Sequence, residues 1–153
     1  DTITEFTGTA PRGWMGPGLA ETFDTPDILA EEGIEYIADW CNDDQPYPMK
    51  VKSGSLVALP YTVELNDIPV YLVQHHRSPE LFERAKDHFD TLYREGAESA
   101  RIMCVSTHPY ITGAAHRIKY YDQIFEYIRR HDDVVFMTGS EILDWYTEEM
   151  TSQ

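Results

Sequence analysis

His108 is the residue whose type and surroundings best suit proton-transfer chemistry. A histidine titrates near neutral pH, so it can give a proton to a reacting group or take one from it. It follows the apolar run Ile102–Val105, which predicts a buried parallel strand, and it precedes Pro109, which favours an extended or turn conformation. We therefore expect His108 at the carboxyl end of a strand, where ligands bind in parallel sheets. The alternative is a histidine that only caps the strand end.

Two further pairs of residues combine a charged side chain with a large aromatic ring. Arg12 and Trp14 lie in the glycine- and proline-rich segment PRGWMGPG, which predicts a loop. Asp39 and Trp40 directly follow Ile34–Ala38, which predicts a strand. Both kinds of side chain commonly contact ligands, and loops commonly carry function. The loop could also be a simple connector.

The elements that must position these residues alternate between helices and strands along the chain. This order favours an α/β fold in which parallel strands alternate with helices, as in a (β/α) barrel or another parallel sheet. One long loop, Pro60–Val73, is expected to contain a short strand or turn. The predicted helices cover 1–8, 27–32, 78–93, 118–130 and 141–149, and the predicted strands cover 34–38, 56–59, 102–105 and 134–137. The first helix is the tail of a longer one, and Thr25 caps the second. The apolar stripe of the fourth helix is Ile118, Tyr121, Phe125 and Ile128, and Ile142 and Trp145 of the last helix are expected to face inward.

Composition excludes several classes of protein. The 153 residues carry a formal charge of −15, which argues against binding to nucleic acid or to an anionic membrane through a basic surface. No apolar run is long enough to cross a membrane, and the first residues do not resemble a signal peptide, so we expect a cytoplasmic location. Cys41 and Cys104 form no metal-binding spacing. We expect one domain over residues 1–153.

A resemblance to the polysaccharide deacetylase family, also called the NodB-homology or carbohydrate esterase 4-like family, runs through the chain in order. Its segments are PRGWMGPG, IEYIADW followed by NDDQPY, LPYTVELNDIP, FDTLYREG, STHPY with a downstream HR at 116–117, and VVFMTGSEILDWY. The nearest likeness is to the branch with cofactor-independent allantoinases and peptidoglycan deacetylases. The resemblance implies the C-terminal portion of an irregular (β/α) barrel. The chain has no initiator Met and begins within a helical pattern, so we expect an incomplete or processed chain.

The resemblance also implies roles for individual residues. Arg12 matches an arginine that positions the catalytic aspartate, and Asp39 and Trp40 match an aspartate-tryptophan motif whose Trp walls the substrate pocket. His108 matches a histidine that donates a proton to the leaving amine or steadies the substrate. The family's early acidic motif and HxxxH pair, which supply its metal ligands, have no match in this sequence. We therefore expect no cofactor held within this chain, and a divalent metal such as zinc only if upstream residues supply ligands. The residues expected around the same mouth with less support are Trp14, Asn66 and Asp67.

These roles fit hydrolysis of an amide, because the departing nitrogen must be protonated before it can leave. The preferred prediction is a hydrolase of non-peptide C–N bonds acting on allantoin or a related ureide, active as the full-length protein and inactive as the isolated chain. The close alternative is an N-deacetylase of peptidoglycan or chitin-type sugars. A third interpretation, from another class, is a non-catalytic module that binds a sugar or amide or completes a fold with another chain. Since a half barrel exposes sheet edges, we expect a homo-oligomer.

Overall fold

The structure is a computed structural model that describes residues 2–152, and residue 1 of the predicted first helix lies outside this range. None of the described helices is long and apolar enough to cross a membrane. The helices are α1 (Thr2–Thr7), α2 (Thr25–Glu31), α3 (Glu80–Glu95), α4 (Ile118–Ile128) and α5 (Gly139–Ser152); the strands are β1 (Gly13–Trp14), β2 (Tyr36–Ile37), β3 (Tyr47–Pro48) and β4 (Val57–Ala58); two 3-10 turns cover Pro17–Leu19 and Val63–Leu65, and a π-helix covers Ile68–Val73.

The chain forms two compact units. One contains the residues up to Tyr61 together with those from Phe136 onward, and the other contains Thr62–Val135. Each unit has its own hydrophobic core. The single domain over 1–153 stays a prediction.

The first unit is built on a four-stranded sheet with the order β1-β2-β4-β3. β1, β2 and β4 are parallel, with Gly13 opposite Tyr36 and Ile37 opposite Ala58, and β3 runs antiparallel to β4. α2 connects the parallel neighbours β1 and β2, which is the expected crossover for parallel strands. The fold is α/β, as predicted. The core residues of this unit are Leu29, Ala30, Ile34, Ile37, Leu56 and Ala58.

Local sequence explains where the helices of this unit begin and end. Pro26 lies in the first turn of α2, where a missing N–H costs nothing, and Gly33 follows the helix at φ +82°, a conformation that glycine adopts without strain. α5 starts with a capping box: the Glu141 N–H donates to Oγ1 of Thr138, and the Thr138 N–H donates to a Glu141 carboxylate oxygen.

A tyrosine ring fills the space beside two glycines of the same unit. A Cβ added to Gly13 would lie 2.0 Å from Cζ of Tyr36, and one added to Gly139 would lie 2.7 Å from the Tyr36 hydroxyl oxygen. The glycines therefore leave room for the ring.

The second unit is mainly helical. α3 and α4 were both predicted from their apolar periodicity, and α3 buries Leu81, Ala85, Phe89 and Leu92 at helical spacing. The core residues of this unit are Leu65, Val70, Tyr71, Leu81, Ala85, Phe89, Ile111, Ile124 and Ile128.

Three predictions of local structure are wrong. Ile102–Val105 is half-buried but forms no strand; the only strand pairing near it within residues 2–152 is a parallel bridge between Ser106 and Asn66. The stretch 134–137 also forms no strand, and Val135 is 75% exposed. The predicted loop Pro60–Val73 is largely helical. In the two predicted strands, a short apolar run does not by itself fix the backbone conformation.

The loop and helix-face predictions also need correction. The segment PRGWMGPG contains β1 rather than loop alone. In α4 the buried face is centred on Ile124 and Ile128, while Ile118 is 39% exposed. In α5 Leu143 is buried and Trp145, expected inward, is 41% exposed. In both helices, the buried face is therefore rotated by part of a turn from the face that the sequence predicts.

Candidate functional site

His108 is held by a buried carboxylate in the second unit. Its Nδ1 lies 2.7 Å from Oδ1 of Asp67, and its backbone N–H donates to Oδ2 of Asp67 at 2.7 Å. Asp67 is completely buried, whereas the His108 side chain is 36% exposed. Because an ionised carboxylate only accepts hydrogen bonds, the proton on this ring lies on Nδ1. Nε2 has no hydrogen-bond partner among the described residues, so it is the nitrogen left for chemistry.

Backbone pairing brings Asp67 and His108 together across 41 residues of sequence. The Ser106 N–H donates to the carbonyl of Leu65, and the Asp67 N–H donates to the carbonyl of Ser106. Asp67 then begins the π-helix Ile68–Val73. A single bridge, rather than a full strand, is enough to place the histidine over the carboxylate.

Thr112 completes the surroundings of the Asp67 carboxylate. Its hydroxyl donates to Oδ2 at 2.7 Å, so Asp67 accepts three hydrogen bonds from the chain. The prediction that Asp67 lies at a substrate mouth is corrected by its burial: it touches His108 and orients it. Asn66 uses its side-chain oxygen to accept the Ile68 N–H, which stabilises the turn into the π-helix.

Asp39 is a second buried carboxylate, and it lies in the first unit. It follows β2 and is 8% exposed. Both of its oxygens accept the backbone N–H of Gly16, at 2.7 and 2.9 Å. An added Cβ on Gly16 would lie 3.1 Å from Oδ2 of Asp39, so the close approach depends on glycine. Asp39 therefore ties the loop after β1 to the end of β2.

Glu21 was missed by the sequence analysis, yet it contacts both members of the Asp-Trp motif. Its Oε2 accepts the indole N–H of Trp40 at 3.2 Å, and its carboxyl group faces that of Asp39. Burial, followed by the hydrogen bond with Asp39, raises the pKa of Glu21 to about 7. It lies in an irregular segment with no periodic pattern, so no sequence signal singled it out.

Arg12 binds two carboxylates of its own unit. Its guanidinium donates in bidentate fashion to Glu35, at 2.6 and 3.1 Å, and to Asp144, at 2.7 and 3.2 Å. Its hydrogen bonds to Asp144 and then to Glu35 raise the Arg12 pKa, and Arg12 lowers the pKa of Asp144. These bidentate partners do not include Asp39, the buried aspartate of the same unit. In this chain Arg12 joins the start of β2 to α5.

Trp14 is the last predicted site residue. It ends β1 and is 41% exposed, so its ring is available for contact. Among residues 2–152, no three His, Cys, Asp or Glu side chains come together in a way that could hold a metal ion.

Known proteins resemble this chain in sequence and in fold. No family model matches the chain. A Schizosaccharomyces pombe protein described as a polysaccharide deacetylase is 32% identical over 116 residues, which cover 69% of this chain and 36% of that protein. The crystal structure of a Pseudomonas aeruginosa protein, also described as a polysaccharide deacetylase, superposes with a TM-score of 0.87 at 29% identity, covering 96% of this chain and 50% of that one. In sequence and in fold, the chain is therefore similar to proteins described as polysaccharide deacetylases.

A second solved structure of similar likeness carries a different name. PuuE allantoinase superposes with a TM-score of 0.84 at 30% identity, over 95% of this chain and 49% of that one. The chain thus spans about a third of the curated relative and about half of each solved chain. This likeness supports the predicted (β/α) barrel portion, since the neighbours share the fold over nearly all of this chain.

Proposed function

We propose that the protein containing this chain hydrolyses a non-peptide amide C–N bond and that His108 is its proton-transfer residue. The observation that carries the proposal is the contact between the exposed ring of His108 and the buried carboxylate of Asp67. A histidine fixed in one tautomer, with its other nitrogen unpaired, is the arrangement that proton transfer requires. The likeness to proteins described as polysaccharide deacetylases and as an allantoinase supports this reaction class.

The chemistry follows from the needs of the reaction. Water adds its oxygen to the carbonyl carbon, the C–N bond breaks, and the nitrogen must gain a proton as it departs. Nε2 of His108 delivers that proton, while Asp67 keeps the ring oriented and balances the positive charge that the ring carries beforehand. Such a transfer accelerates a reaction by about two to four orders of magnitude. The groups that activate the water are not assigned within this chain.

For the substrate we propose allantoin or a related ureide, supported by the likeness to PuuE allantoinase. N-acetyl sugars of peptidoglycan or chitin are the second candidate, and the two relatives described as polysaccharide deacetylases favour them. We further propose a cytoplasmic location and a homo-oligomer, neither of which alters the assignment of His108.

The test uses the full-length protein and two kinds of substrate. Ring opening of allantoin and release of acetate from an N-acetylglucosamine oligomer are measured for the wild type, for His108→Gln and for the control His75→Asn, which changes an exposed histidine. We expect His108→Gln to lower kcat on one substrate by about 10²- to 10⁴-fold, and the control to stay within twofold. Normal turnover by His108→Gln would overturn the proposal.

The same assays address a non-catalytic module. If the wild type binds one of the compounds in calorimetry but turns over neither, the hydrolase proposal fails and a binding function replaces it. Circular dichroism of each variant shows whether a loss of turnover reflects a loss of fold.

A further inference from the structure

We propose that Glu21 is a positioning residue that fixes Trp40 and Asp39 through a hydrogen bond to the indole and a proton shared with the carboxylate. The inference deepens the proposed function, because it rests on Trp40 contacting the substrate. It concerns the first unit alone, where Glu21, Asp39 and Trp40 all lie.

The hydrogen bonds around Glu21 require a proton on one of the two carboxyl groups. Oε2 of Glu21 accepts the Trp40 N–H at 3.2 Å, while Oε1 is buried and has no hydrogen-bond donor among the described residues. The carboxyl group that it faces belongs to Asp39, which can itself only accept while it is ionised. A buried oxygen with no donor is costly, and a proton between the two carboxyl groups removes that cost.

The proton belongs on Glu21 rather than on Asp39. Both oxygens of Asp39 already accept the Gly16 N–H, whereas Oε1 of Glu21 has no donor among the described residues. Glu21 accepts only the indole N–H, and its pKa is raised to about 7 by burial and by Asp39. Asp39 is the titratable group that faces Glu21, and within residues 2–152 no cation contacts either carboxyl group.

The consequence reaches Trp40 because its ring is 42% exposed and has few other constraints. With Glu21 protonated, one oxygen holds the indole and the other holds Asp39. Above neutral pH the two carboxylates repel each other, so Glu21 moves away and the Trp40 ring loses its anchor. Substrate affinity should therefore fall as pH rises through about 7.

The experiment follows the indole N–H of Trp40 by nuclear magnetic resonance in the full-length protein between pH 5 and 9, with Trp40→Phe to assign the signal. We expect the wild-type signal to shift with a midpoint near 7. In Glu21→Gln, which accepts from the indole and donates to Asp39 without titrating, the signal should stay constant near its low-pH position. In Glu21→Ala it should lie at the position of a free indole at every pH.

Kinetics provides the second readout. Glu21→Ala should raise KM about tenfold with a smaller effect on kcat, as expected for the loss of one hydrogen bond that positions the ring. Glu21→Gln should restore KM to within about twofold of the wild type. The control Glu5→Ala removes an exposed carboxylate on α1 and should change neither signal nor KM. An unshifted Trp40 signal in both the wild-type titration and Glu21→Ala would overturn the inference.

The two proposals fail separately. If no substrate is turned over, the proposed function fails, while the resonance titration still decides the role of Glu21. If turnover is normal but the Trp40 signal never responds to Glu21, the positioning role fails and the proposed function stands.

Discussion

Nδ1 of His108 lies 2.7 Å from Oδ1 of Asp67, and that carboxylate is fully buried. Asp67 also accepts the His108 backbone N–H and the Thr112 hydroxyl. Three donors thus satisfy one buried charge, which would otherwise carry a large desolvation cost. The imidazole cannot rotate without leaving this charge under-solvated, so the ring orientation is fixed before any ligand binds.

Asp67→Asn should lower kcat while leaving the protein folded. The amide keeps the size of the side chain but replaces one acceptor by a donor, so it favours the tautomer with the proton on Nε2. We expect kcat to fall by about 10²- to 10⁴-fold on the substrate that the wild type turns over. The control Thr112→Val removes one donor to Asp67 without changing the tautomer and should cost less than tenfold. Equal losses in the two variants would contradict a tautomer-fixing role.

Arg12→Lys should destabilise the first unit. A lysine is a compact point charge and cannot form bidentate contacts with Glu35 and Asp144 together. We expect the free energy of unfolding in urea to fall by about 1 kcal/mol, since the network is partly exposed. Arg94→Lys, at an exposed position in the last turn of α3, is the matched control and should have no measurable effect. Identical urea midpoints for the two variants would show that the bidentate network contributes no stability.

Gly16→Ala should destabilise the loop through a steric contact. The added methyl would lie 2.7 Å from the Ala20 carbonyl oxygen and 3.1 Å from Oδ2 of Asp39, although the backbone at φ −69° suits alanine. We expect a loss of about 1–3 kcal/mol, typical of overpacking. Gly18→Ala is the comparison variant: Gly18 has φ +64° and open space around it, so alanine there introduces backbone strain without a steric contact. A smaller loss at Gly16 than at Gly18 would contradict the steric explanation.

Glu21 should make stability depend on pH in a defined direction. Its carboxyl group titrates near 4.5 when unfolded and near 7 when folded, so between these values the folded state binds more protons. The contribution of Glu21 to the free energy of unfolding is complete below about pH 4.5 and is lost as pH rises through about 7. Relative to Glu21→Gln, the wild type should lose on the order of 1–2 kcal/mol between pH 5 and 8, allowing for solvent screening. Urea unfolding of both proteins across this range measures the difference, and parallel pH profiles would refute it.

Helices were the part of the fold that the sequence specified best. α3 and α4 have apolar residues at helical spacing, and α2 and α5 have clear start signals in Pro26 and in the Thr138–Glu141 capping box. These signals are local, so a single sequence contains them. The short strands β2 and β4 were also placed correctly, although each is only two residues long.

Local sequence patterns do not predict which strands pair or which side chains contact each other over long distances in the chain. The run Ile102–Val105 reads as a strand, but strand formation depends on a neighbour, and the structure supplies only the bridge at Ser106. Asp67 was recognised as a candidate, yet its role depends on burial behind His108, 41 residues away. The pairing of Glu21 with Asp39 depends likewise on a contact that no spacing encodes.

The Tyr36 ring beside Gly13 and Gly139 has a consequence for how this sequence can vary. A larger residue at either glycine would overlap the ring, so it is tolerated only if residue 36 becomes smaller at the same time. Among natural relatives these three positions should therefore covary, although Gly139 lies more than a hundred residues from Tyr36 in the chain. A bulky residue at 13 beside a retained tyrosine at 36 should mark a relative whose main chain has shifted in this region.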